Sequence, residues 1–398
     1  MQRSTLATIF LCLVSVGSFL IAQDRGVAPY KGGEDLSGPY EADSDWPMPI
    51  ESELTWGRTG TVFAESPDRI FVMQSGMVPW DWKRLEGPRR GGGTLLASAN
   101  NATHCASTVA RKPNCAPGKV PLAEKSGKEI PGARWDHILM IFDRDGNLIE
   151  SWDQHNDLFT HPHNVTINPY DPEKHVWVVD AGSEQIFKFT QNGDLVMSLG
   201  EFRVTGNDEF HFGNPSGIAF LPNGDFYVSD GYRNARVVKF SKDGKYLMEW
   251  GKPGDGPGEF NLPHGIAIDA DGRVYVIDRS NSRIQVFDLN GKYLDQWTGL
   301  RLPLYIAVSK DQHVWVSSGF SNKILKYDQN GQLLYSWGTF GARPGEIWGV
   351  HGFSTDTEGN LYVAEVFSGR VQRLRPRMGA NSKFLMGPLA SPGSLELD

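Results

Sequence analysis

Three histidines, His163, His264 and His351, take the same place in alternate copies of an internal repeat. Neutral imidazole binds a metal through one ring nitrogen and leaves the other for an orienting hydrogen bond. A trio meeting at one point would hold an ion with a fourth position open to a reacting oxygen. The remaining copies carry Thr59, Ser216 and Leu304 there, none of them a carboxylate, so the donor set suits zinc. The turn 230–236, Asp230-Gly-Tyr-Arg-Asn-Ala-Arg236, is one residue longer than its counterparts 180–185, 278–283 and 365–370, and the extra residue bulges Tyr232 toward the histidines. A phenol beside a metal and a cation can ionise below its usual pKa of about 10 and serve as a base. Arg279 follows Asp278 at the same mouth and offers a two-pronged grip on a carboxylate. Asp180, Asp230 and Asp278 recur in every well-formed copy, which reads as turn chemistry rather than catalysis. His161 precedes His163 by two residues and, on a strand, faces the other way; it needs a loop to reach the same ion.

The elements that must position these groups repeat at 53, 48, 40 and 47 residues between His163, Ser216, His264, Leu304 and His351. Each copy holds four short runs of β-branched and aromatic residues separated by Asn-Gly or Asp-Gly turns. Four strands at this period make a blade, and six blades make an all-β, six-bladed β-propeller whose inner strands face a common axis. Residues 51–386 are assigned to it. The first blade is interrupted by an insert at about 76–135, rich in Gly, Pro, Arg and Lys, that borders a functional face. In the last blade, Lys383-Phe-Leu-Met is expected to form the outer strand.

Arg3, the apolar run from Leu6 and the small Ala22 read as a signal peptide over 1–22, which places the protein in a secreted or periplasmic setting and calls for no stable membrane span. Residues 23–50 read as a loose lead-in and 387–398 as a disordered tail. Cys105 and Cys115 are the two cysteines left after the signal and could close a loop within the insert. Asn101 and Asn164 begin glycosylation sequons. A net charge of −8 with no basic stripe argues against nucleic acid as a partner.

The run Asn261-Leu-Pro-His-Gly-Ile-Ala-Ile with Asp278-Arg-Ser-Asn-Ser-Arg-Ile-Gln-Val-Phe resembles an NHL repeat, and within that group the chain is similar to peptidyl-α-hydroxyglycine α-amidating lyase over roughly 56–376. The resemblance implies a catalytic zinc on His163, His264 and His351, a tyrosine base at Tyr232, an active-site arginine at Arg279 and a small peptide or hydroxy-amide substrate. Three departures stand out. Arg233 replaces a cysteine, Gly352 replaces an aspartate that helps hold a structural Ca2+, and an arginine expected near Gln74-Ser75 is missing, leaving that role vacant or filled from the insert. The implied activity is cleavage of a carbinolamide to an amide and glyoxylate. The alternative is a non-catalytic NHL propeller presenting a loop face to proteins or glycans. A metal-dependent lactonase ranks behind both, because the Asn, Asp and Glu of such inner slots are absent.

Overall fold

A computed structural model of the protein describes residues 38–51, 53–79 and 133–389. The signal peptide, the lead-in up to residue 37, most of the insert with Asn101, Cys105 and Cys115, and the tail from 390 lie outside the described residues. Within them, six four-stranded antiparallel sheets form the blades of one propeller. From blade 2 to blade 6 the inner strands are Pro162–Ile167, Pro215–Phe220, Pro263–Ile268, Pro303–Val308 and Val350–Thr355. Blade 1 begins with Thr59–Ser66 and Arg69–Gln74, and its third strand, Leu139–Phe142, follows the interruption.

Local chemistry explains the repetition. In blade 4 the carboxylate of Asp269 accepts the backbone N–H groups of Asp271 and Arg273, while Gly272 takes a left-handed φ of 77°. That closes the hairpin between the first two strands. Each second strand is apolar on both faces, as in Val274–Asp278, because both faces are covered by neighbouring blades. The core accordingly divides into six apolar clusters, one between each adjacent pair of blades.

The last blade corrects the expected outer strand. Ser382–Phe384 is a short 3-10 helix whose first N–H groups are met by Asn381, with Lys383 N donating to its side chain at 3.0 Å. The outer strand is instead Tyr40–Asp43, from the segment read as a loose lead-in, paired antiparallel with Arg370–Pro376. Tyr40 is fully buried, its ring 5.7 Å from that of Trp337, and its hydroxyl accepts Met386 N at 2.7 Å. Burying a tyrosine and pairing an open sheet edge outweigh anything the polar Asn-Ser-Lys segment offers. Among the described residues no helix is long and apolar enough to cross a membrane.

Candidate metal centre

The register of every blade slips near the start of its inner strand. Pro162 pairs with Asp180 and Asn164 with Val179, so His163 is left between them, outside the ladder. The same slip skips His264 between Pro263 and Ile266, and His351 between Val350 and Gly352. A β-bulge re-aims the residue it excludes, and here the excluded side chain turns toward the axis. In blade 1 the slip falls between Thr59 and Thr61, so Gly60, not Thr59, occupies the slot.

The three imidazoles do meet. One nitrogen from each lies within 4.8 Å of the others, and all three residues are buried. Each ring is oriented by the next blade: His163 Nδ1 faces Ser216 O at 2.6 Å, His264 Nδ1 faces Leu304 O at 2.6 Å, and His351 Nδ1 faces Gly60 O at 2.8 Å. A carbonyl only accepts, so each Nδ1 carries the hydrogen and each Nε2 presents a lone pair inward. His163 Nε2 and His264 Nε2 stand 3.1 Å apart, and His351 Nε2 is buried without a hydrogen-bond partner. Two lone pairs at that separation repel unless a cation or proton joins them, so the donor set fits a metal with three nitrogen ligands. Burial, with the charge of Arg58 next in size, pushes the His163 pKa down to about 3. Burial also holds His264 and His351 well below the ordinary imidazole range.

Tyr232 faces this cluster, its hydroxyl 3.0 Å from His163 Nε2 and 2.9 Å from His264 Nε2. The extra turn residue makes that reach possible. Tyr232 takes a left-handed φ of 61°, and Arg233 N donates to Gly231 O at 2.8 Å across a γ-turn. Gly231 is required there, since a Cβ would lie 1.9 Å from Pro263 O, beside His264. Arg279 Nη1 donates to the Tyr232 hydroxyl at 3.4 Å, with the guanidinium carbon 5.7 Å from the phenol ring centroid.

Arg58 is the residue the sequence reading missed. It precedes the inner strand of blade 1, hydrogen-bonds the Tyr232 phenol, and burial lowers its pKa. An arginine therefore does stand on the first-blade side of Tyr232, supplied from before the slot and not from the second strand or the insert. The signal was available: Arg58 precedes Gly60 by two residues, just as His161 precedes His163. His161 is buried with its ring 5.7 Å from His163 and 6.4 Å from Tyr232, but it stays outside the group of three. The recurrent acids tie down the turns through backbone and side-chain partners. Asp180 accepts the N–H groups of Thr160, His161 and Ser183, while Asp230 and Asp278 pair with Arg236 at 2.9 Å and Arg283 at 2.7 Å. Beside the histidines lies a cavity of about 40 Å³ whose lining includes Asn164, Thr166 and Ser216. Asn164 is itself buried in the ring, which removes its sequon from the surface.

This arrangement defines a class: a closed six-bladed propeller with a buried tri-histidine centre at one mouth of its tunnel. Residues 173–336 match the family described as 6-bladed beta-propeller. NHL repeat-containing protein 3 of Mus musculus is 37% identical over 175 residues, 41% of this chain and 50% of that protein. Peptidyl-glycine alpha-amidating monooxygenase of Mus musculus is 36% identical over 291 residues, 68% of this chain and 25% of that protein. A probable peptidyl-alpha-hydroxyglycine alpha-amidating lyase of Caenorhabditis elegans is 35% identical over 153 residues, 37% of this chain and 42% of that protein. The chain thus spans half or less of the length of these relatives. It is an NHL-repeat six-bladed β-propeller whose homologues include NHL repeat-containing protein 3 and amidating lyases.

Proposed function

We propose that the protein is a zinc-dependent lyase that cleaves an α-hydroxyglycine-type carbinolamide into an amide and glyoxylate. One observation carries this reading: inward-facing Nε2 atoms of neutral imidazoles meet a phenol that is also hydrogen-bonded by two guanidinium groups. His163, His264 and His351 would hold the ion, which when bound makes an adjacent hydroxyl more acidic. Arg58 and Arg279 grip the carboxylate of the substrate and fix its orientation. Tyr232, acting as a phenolate, takes the hydroxyl proton, the substrate oxygen's electron pair forms the C=O bond, the C–N bond breaks, and the proton ends on the departing amide nitrogen. One carbinolamide gives one amide and one glyoxylate, with no oxidant or reductant. The relatives named as amidating lyases support the same chemistry.

A second reading, a non-catalytic scaffold for proteins or glycans, draws on relatives named only for their repeat. Elemental analysis combined with glyoxylate release from α-hydroxyhippurate separates the two. The lyase reading expects one zinc per chain and release of glyoxylate, with His264→Ala losing both. A metal-free wild type that leaves the substrate intact would overturn it.

A further inference from the structure

Around the metal centre, the position just before each slot changes character between blades 1–3 and blades 4–6. Two residues before each slot, blades 1–3 carry Arg58, His161 and Asn214, whereas blades 4–6 carry Leu262, Leu302 and Gly349. Leu304 fills the slot of blade 5, between those of His264 and His351, and its carbonyl orients His264. Above it, Gly319 N donates to Leu302 O at 2.9 Å, and a Cβ on Gly319 would come within 2.6 Å of the Leu304 side chain. The next residue, Phe320, is 69% exposed. On the blade 6 side, Phe340 is 50% exposed with its ring 5.8 Å from that of Trp348, three residues before the ligand His351. Phe210 is comparably exposed, at 73%, but it faces an outer groove with Leu199 and Gly244, away from the slots. Aromatic surface left in water next to a functional centre marks a place where apolar ligand surface is buried.

We propose that Phe320, beside Leu302 and Leu304, and Phe340, beside Trp348, form a specificity subsite for a bulky apolar group attached to the reacting amide. The preferred substrate is then an N-acyl or peptidyl α-hydroxyglycine with an aromatic or branched aliphatic group next to the scissile nitrogen. This rests on the lyase reading. The carboxylate goes to Arg58 and Arg279, which meet at the Tyr232 hydroxyl, and the acyl group on the other side of the C–N bond goes to Phe320 and Phe340. The occupant is the substrate's own apolar end, because Gly319, the neighbour of Phe320, packs on Leu304, whose carbonyl orients His264.

The test compares kcat/KM for N-benzoyl- and N-acetyl-α-hydroxyglycine. Wild type should favour the benzoyl compound by about tenfold or more, the scale on which apolar pockets discriminate. Phe320→Ser should bring the ratio near unity with zinc content retained, whereas Phe320→Leu should keep most of the preference. Phe340→Ser provides an independent variant if Phe320→Ser does not fold. No preference in wild type, or preference retained in both serine variants, overturns the subsite. If neither compound is cleaved, the lyase reading itself fails. Calorimetry with N-benzoylglycine and N-acetylglycine then decides the subsite alone, equal affinities overturning it.

Discussion

Each ligand imidazole donates its Nδ1 hydrogen to a backbone carbonyl, which leaves Nε2 as the only atom that can meet an ion. Tyr232 is different: its hydroxyl faces the same nitrogens without being one of the three that would hold the ion. Tyr232→Phe should therefore retain zinc by elemental analysis and lose about 10²-fold or more in turnover, if general base catalysis dominates; unchanged turnover would remove the phenol from the mechanism. The buried histidines also predict a pH dependence in chelator-treated protein. The His163 pKa falls from 6.5 to about 3 on folding, so below pH 6.5 the unfolded chain takes up a proton that the folded protein refuses. Stability is then lost as pH falls, by about 2 kcal/mol for this one group between pH 6.5 and 5. His264 and His351 act in the same direction. Urea unfolding at the two pH values measures the loss, and a His163→Asn variant should show less of it; an identical loss in the variant would count against the assignment. At this scale the sequence was informative because alternate repeats shared one residue type. Arg58 is harder to read because it precedes the first inner strand and shares no residue type with its counterparts in the other blades.

Bulges and turns do the aiming. A residue on a regular strand alternates faces, yet every slot residue is excluded from its ladder by a register slip. The repeat shows which residues are equivalent, but no residue type marks such a slip, so the cause of their convergence stays hidden in the sequence. The longer turn of blade 3 was legible by counting alone. Its γ-turn makes Gly231→Ala a sharp probe, since the added methyl meets Pro263 O and must displace Tyr232 or the strand carrying His264. A misplacement of about 1 Å at a reacting group can cost about 10²-fold in rate. The variant should fall by that order while its circular dichroism stays that of the wild type, and full activity would show that the turn is not what positions the phenol.

For the whole molecule, stability rests on a sheet closed between two distant parts of the chain, Tyr40–Asp43 and Arg370–Pro376. Tyr40→Ala removes a fully buried ring from that seam and should destabilise the protein by about 3–5 kcal/mol in urea unfolding. A loss under 1 kcal/mol would show the seam to be dispensable. The six-fold architecture could be read from the spacing of turns and strand-like runs. The closing strand could not, because Tyr-Glu-Ala-Asp is only four residues long, lacks the paired turns that flank other strands, and finds its partner by long-range packing.

The carbonyl that orients His351 belongs to Gly60, across the junction between the sixth blade and the first. Until the circle is complete, one imidazole lacks its rudder and the other two cannot make a full claim on an ion. Zinc uptake during refolding would thus work as a coincidence detector: a late, all-or-nothing flag that both distant stretches of polypeptide have found each other, readable by a colorimetric chelator in the stopped-flow cell.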